Sequence, residues 1–148
     1  MPLILIDTNV IVYACDPGEP DKREQAARVL RFLDQTGNGR LSVQGLSEFV
    51  SATTRRLCPP LTVTEAAEQV ERLMLSFPVF DLTPMIVLEA LRGMRDHQLP
   101  FYDAQMWASA RLNQTPFVFS EDFNSGAMLD GVRFINPFAP DFILENWG

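Results

Sequence analysis

"LILIDTNVIVYA", residues 3–14, holds the strongest local signal in the chain. The run Leu3-Ile4-Leu5-Ile6 is apolar at every position and then stops at a carboxylate, Asp7. A strand covered on one face alternates apolar with polar residues; a run apolar on both faces marks a strand buried inside a parallel sheet. In open parallel sheets, sites form beyond the carboxyl ends of the strands. The position of Asp7 predicts that it is the first residue to leave the core, entering a shared cleft with Thr8 and Asn9 beside it.

The rest of the chain supplies partners for such a strand. "DKREQAARVLRFL" (21–33) has helical spacing, with Ala26, Val29, Leu30 and Leu33 on one side, and "GNG" (37–39) breaks it. "LSV" (41–43) is a short strand. "LSEFVSATTRRL" (46–57) is helical, with a stripe of Leu46, Phe49, Val50, Thr53 and Leu57, and Pro59-Pro60 ends it. Thr62 and Glu65 form a capping-box pattern that opens a helix through about Ser76. Its predicted buried face is Val63, Ala66, Ala67, Val70, Leu73, Met74 and Phe77. "PVFDL" (78–82) is strand-like. Thr83-Pro84 opens a helix to about His97, and Pro100 precedes a nearly all-apolar helix, 103–112. "PFVFS" (116–120) and "VRFIN" (132–136) are the last strands. Strands alternating with helices predict an α/β fold on a mainly parallel sheet, in a single domain spanning 1–148.

Composition narrows the chemistry. The chain has 47% apolar and 21% charged residues, as an ordinary globular protein does. No apolar run approaches the ~20 residues that span a bilayer, and no basic segment precedes the first apolar stretch, so neither a membrane segment nor a signal peptide is expected. Cys15 and Cys58 lie far apart and read as reduced thiols of a cytoplasmic protein. The net charge of −7 argues against non-specific coating of nucleic acid, which rests on basic surface. It does not exclude an enzyme that holds phosphate through cations, since bound cations invert the local sign.

Carboxylates from four stretches of the chain can meet at one edge of the predicted sheet. Asp7 follows the first strand, and Glu121 and Asp122 follow "PFVFS". Glu48 lies off the apolar stripe of its helix, and at about 100° per residue it shares a face with Ala52 and Arg55. Asp103 heads an apolar helix in which a carboxylate needs partners. Each acid alone has an ordinary reading: a cap for Asp103, an Asx turn for Asp7, a solvated helical acid for Glu48, a turn residue for Asp122. Together they repel one another, so a cation must offset them, and hard oxygen ligands favour Mg²⁺ or Mn²⁺ over zinc. The single histidine, His97, reads as a solvated surface residue beside Asp96, which leaves a zinc site or a histidine triad without support. No P-loop or GxGxxG is present.

"LIDTNVIVYA", "LSEFVSATTR", "YDAQMWASA" and "FSEDF", in this order, resemble the PIN-domain ribonucleases, and more narrowly the VapC-type toxins of bacterial toxin–antitoxin modules. The resemblance covers nearly the whole chain. It implies a three-layer α/β/α sandwich around a parallel sheet. It places the metal-binding, catalytic acids on Asp7, Glu48, Asp103 and Asp122, with Thr8 and Asn9 as the polar pair after the first acid and Ser120 as the small hydroxyl before the last. Glu121 stays open, because the family varies there. The resemblance also implies an RNA substrate cut to 5′-phosphate and 3′-hydroxyl ends, a Mg²⁺ or Mn²⁺ cofactor, a homodimer, and a cognate antitoxin that holds the enzyme inactive. Arg55 and Arg56 fall where such toxins carry arginines, and they are candidate RNA contacts.

Two other readings are open to the sequence. A PIN-like module can hold RNA or a protein without cutting; the complete acid set favours the enzyme. A Mg²⁺-dependent phosphoryl-transfer domain would use Asp7 as nucleophile. A receiver needs a lysine at the site, and Lys22 looks poorly placed; a dehalogenase-type phosphatase needs a second Asp where Asn9 stands.

Overall fold

The computed structural model describes all 148 residues. The first strand, β1 (Ile4–Ile6), has every residue buried, as its unbroken apolar run predicts. It lies inside a six-stranded sheet ordered β3-β2-β1-β4-β6-β5. β2 (Gly39–Ser42), β3 (Val79–Phe80), β4 (Phe117–Phe119) and β6 (Val132–Ile135) are parallel to it, and β5 (Met128–Leu129) pairs antiparallel with β6. In register, Ile4 and Ile6 lie opposite Phe117 and Phe119. The chain first winds away from β1 through β2 to β3, then crosses back to β4 on the other side of β1. That reversal is a topological switch point, and it opens a crevice at the carboxyl ends of β1 and β4.

Alternation along β1 splits the interior into two layers. Ile4 and Ile6 join a cluster with Val29, Leu33, Leu41 and Phe49, under α1 (Thr8–Tyr13), α2 (Pro20–Thr36) and α3 (Val43–Arg55). Leu5 faces the other way, toward Ile86, Trp107, Val118 and Phe134, under α5 (Pro84–His97) and α6 (Phe101–Leu112). The result is the expected α/β/α sandwich. In α6 the whole run Ala104–Ala110 is buried, which explains why its sequence shows no polar face. Trp107 seats its ring against Gly93 of α5, where an added Cβ would meet the ring carbons at 2.8 Å. Its Nε1 donates to Leu129 O at 3.0 Å.

The structure departs from the sequence-based expectations in several places. "TNVIVY", to which the sequence reading assigns no element, is the helix α1. Its β-branched residues are poor helix formers, but Asp7 caps it by accepting the Thr8 N–H at 2.7 Å, and packing on the sheet does the rest. β5 also went unpredicted; Asp130 and Gly131, with φ of 48° and 83°, turn it into β6, the geometry a tight hairpin needs.

α4 (Val63–Ser76) forms where expected, with its capping box intact, yet its apolar face is largely unburied: Val63 is 81% and Met74 58% exposed. Ala67 is exposed too. The helix packs at the sheet edge, chiefly on α3, and only Ala66, Val70, Leu73 and the following Phe77 reach the core. In α3, Val50 likewise faces outward.

His97 is not solvated as predicted. Its Nε2 lies 2.8 Å from Asp130 Oδ2 and its ring packs edge-on against Trp107. The C-terminal stretch, which ends in the 3₁₀ turn Leu144–Trp147, packs on the α2 side of its own domain through Phe138, Phe142 and Leu144. No helix is long and apolar enough to cross a membrane.

Candidate active site

The crevice at the switch point collects the polar residues that the sequence singles out. Asp7 leaves β1 with its N–H bonded to Phe119 O at 3.0 Å, which fixes it beside the end of β4. Its carboxylate is buried and each oxygen is hydrogen-bonded: Oδ1 accepts from Thr8 N at 2.7 Å, and Oδ2 accepts from Ser120 Oγ at 2.7 Å, which leaves each a further lone pair. Asn9, in the first turn of α1, spreads its amide over the gap. Its Nδ2 donates to Ser120 Oγ and to Asp122 Oδ2, both at 3.1 Å, and lies 3.5 Å from Asp7 Oδ2. Its Oδ1 accepts from Glu121 N at 3.3 Å. Ser120, wholly buried, also takes the Asp122 N–H at 3.1 Å. So β1, α1 and the end of β4 are tied into one polar knot.

The other two acids come from the flanking helices. Glu48 projects from α3 and accepts from Gln44 Nε2 at 2.7 Å. Asp103 stands in the first turn of α6. It does not cap that helix: the cap position is Pro100, and no side chain serves it. Asp103 accepts no hydrogen bond, and burial raises its pKa, with the charges of Asp122 and Glu48 adding to the effect. Asp7 responds in the same way. Burial raises its pKa to about 7 against the hydrogen bonds from Ser120 and Thr8, and the charges of Asp122 and Glu48 push it further. The four acids therefore share one electrostatic field.

No basic side chain relieves it. None of the ion pairs in the molecule engages Asp7, Glu48, Asp103 or Asp122. Glu121, the open position, is settled otherwise: Tyr13 Oη and Lys22 Nζ each donate to it at 2.6 Å. Burial raises its pKa, but those two partners outweigh it and leave it lowered. Lys22 is thus next to the site after all, though committed to Glu121.

The donor set suits a hard divalent cation, being carboxylate and hydroxyl oxygens; the Asn9 amide presents its NH₂ to the acids and gives its oxygen to Glu121 N. The Thr8 hydroxyl is buried without a partner on the same cleft. No three of the acids stand in a ligating cage around one point. Uncompensated like charges spread apart, and Mg²⁺ commonly takes only one or two carboxylates while keeping its waters.

The cleft itself encloses about 450 Å³ and is lined by Thr8, Asn9, Tyr13, Glu48, Arg56 and Asp122, among others. Arg56, the residue that caps α3, lies on this wall; Arg55 is exposed and does not line it. The sequence reading missed Gln44 and Gln105, which are buried beside Glu48 and Asp103. Their signal was present but weak: a Gln one helical turn before Glu48, and a lone amide in an apolar helix.

The PIN domain family profile matches residues 4–125, and the chain belongs to this family. Solved structures with the same fold include Mycobacterium tuberculosis VapC20, a sarcin-ricin loop cleaving toxin, at 21% identity and a TM-score of 0.64, over 88% of this chain and 98% of that one. FitAB bound to a DNA fragment is 18% identical with a TM-score of 0.66, over 95% of this chain and 99% of the other. DNA-bound VapBC from Salmonella typhimurium is 18% identical with a TM-score of 0.63, over 90% and 97%. No curated protein sequence matches the chain.

Proposed function

We propose that this PIN-domain protein is a divalent-metal-dependent endoribonuclease, the toxin of a toxin–antitoxin module. The observation that carries the reading is the buried Asp7 carboxylate, held by Ser120 and Thr8 at a topological switch point, which feels the charges of Glu48 and Asp122, as Asp103 does, while no basic side chain pairs with any of the four. Mg²⁺ or Mn²⁺ held by these carboxylates would supply positive charge for the scissile phosphate and lower the pKa of an attacking water. The protein's own part is positional. Ser120 and the Thr8 N–H fix one Asp7 rotamer. The Asn9 amide spans Asp7 and Asp122, so the two acids keep their spacing and, the amide being neutral, their combined negative charge is not cancelled. Arg56, on the cleft wall, meets a phosphate next to the scissile one.

Mapping cleavage sites on total RNA tests the reading. The wild-type chain with Mg²⁺ should generate discrete new 5′-phosphate ends, and Asp103→Asn none. New ends with Asp103→Asn at the wild-type rate would sink the assignment. Arg56→Ala should weaken RNA binding and lower its log–log salt slope by about 0.7 for each single-strand phosphate that the arginine neutralises. An unchanged slope would place Arg56 off the RNA path.

The partners follow the same reading. Several neighbours are toxin–antitoxin complexes, and this chain has the surface for one. Met74 and Leu75 on α4, and Met85, Leu88 and Leu91 on α5, are exposed apolar side chains that offer room for an antitoxin helix and for a second copy of the chain. An antitoxin that also reaches the cleft would bring an Arg or Lys for the unpaired acids. Its addition should block RNA cleavage in proportion to complex formed; full cleavage by the complex would remove the toxin assignment and leave the nuclease.

A further inference from the structure

Two buried glutamines connect the helices that carry Glu48 and Asp103. Gln105, on α6, donates from Nε2 to Gln44 Oε1 at 2.9 Å. Gln44, on α3, donates from its own Nε2 to Glu48 Oε1 at 2.7 Å and to Tyr102 O at 2.9 Å. Both side chains are nearly inaccessible, at 7% exposure for Gln44 and 4% for Gln105, in a protein whose other glutamines all lie nearer the solvent. The amide orientation is forced. A carboxylate oxygen and a main-chain carbonyl only accept, so Gln44 must turn its NH₂ toward them, and its Oε1 is left for Gln105.

We infer that Gln44, oriented by Gln105, is a positioning residue that sets the rotamer of Glu48 and its separation from Asp103. The inference rests on the nuclease reading and deepens it. Glu48 is otherwise an exposed side chain with several free torsions and no second protein hydrogen bond. Tyr102 O belongs to the first turn of α6, one residue before Asp103. A single NH₂ group thus holds a carboxylate of one helix and the backbone of the other. It fixes the acid-bearing end of α6 against α3 beside Glu48. Groups that orient ligating carboxylates in this way commonly change metal affinity or activity by about 10–100-fold when removed.

The test uses Mn²⁺ calorimetry and RNA cleavage on the full chain. Gln44→Met keeps the side-chain length and removes both donors; it should weaken Mn²⁺ binding at least tenfold and lower kcat in step. Because it also strands the Gln105 amide, the double variant Gln44→Met/Gln105→Met is made alongside. That variant loses both polar partners together, so its urea midpoint should stay near wild type while Mn²⁺ affinity remains low. In a Glu48→Gln background, Gln44→Met should cost no further Mn²⁺ affinity, since Gln44 acts only through Glu48. Equal Mn²⁺ affinity in wild type and Gln44→Met overturns the inference and leaves the nuclease reading intact, as does a full additional loss in the Glu48→Gln background. A wild-type chain that neither binds Mn²⁺ nor cuts RNA overturns both.

Discussion

Asp7→Asn should abolish metal-dependent RNA cleavage and, without metal, raise the melting temperature. The two effects have one cause. Asp7 is buried, and burial raises its pKa from 3.8 to about 7. Between those values the folded chain keeps a proton that the unfolded chain releases. Stability of the metal-free protein therefore falls as pH rises through that window, and above it the full cost of a buried charge applies. That cost is on the order of a few kcal/mol. A neutral amide in place of the carboxylate removes it while keeping an oxygen for the Thr8 N–H. The variant should therefore melt several degrees higher at pH 8 and show a flatter stability profile from pH 4 to 8. Mg²⁺ should stabilise wild type much more than the variant. Activity should drop by orders of magnitude, because the carboxylate proposed to hold the cation at the end of β1 is gone. Wild-type cleavage by Asp7→Asn would refute the mechanism. A lower melting point for the metal-free variant would refute the electrostatic account of Asp7.

The same competition explains why the site was legible in the sequence. A carboxylate that ends a doubly buried strand, and another that heads an apolar helix, break the local rules of a stable core. Such conflicts mark functional positions. Asp7 and Asp103 stood out for this reason, Asp122 by its place after the strand at 116–120 and Ser120 only by the family resemblance, and the helix caps at Thr62 and Thr83 were readable from turn chemistry alone. α1 was hidden because its residues favour strands and only the Asp7 cap and the sheet beneath make it helical. The exposed face of α4 was misjudged because periodicity shows which side is apolar, not whether anything covers it. Glu121 could not be assigned, since Lys22 and Tyr13 reach it from far along the chain. Gln44 and Gln105 escaped for the same reason: their meaning lies in a contact between two helices.

Removing residues 138–148 should abolish cooperative folding, although the PIN domain match ends at residue 125. The tail is built into the α2-side core. Trp147 meets Phe117 and Phe119 edge-on, with centroids 4.8 and 5.2 Å apart, and Phe142 meets Phe119 at 5.4 Å. Phe138 packs edge-on with Tyr13 at 5.1 Å, next to the cleft. Leu144 is 3% exposed. Buried Asn38 donates to Trp147 O at 2.9 Å and to Pro2 O at 3.1 Å, which ties both ends of the chain to the start of β2. Truncating one large core side chain costs about 2–5 kcal/mol, and a whole domain is stable by only about 5–15 kcal/mol. Loss of Phe138, Phe142, Leu144 and Trp147 together exceeds what such a domain holds in reserve. Ile143, exposed in the same stretch, is the control: Ile143→Ser should shift stability by no more than about 0.5 kcal/mol. Urea titration followed by far-ultraviolet circular dichroism separates the cases. A truncated chain that unfolds cooperatively near the wild-type midpoint would make the tail an appendage. Its aromatic residues would then be free to dock on a partner, and the fold would close at β6 without them.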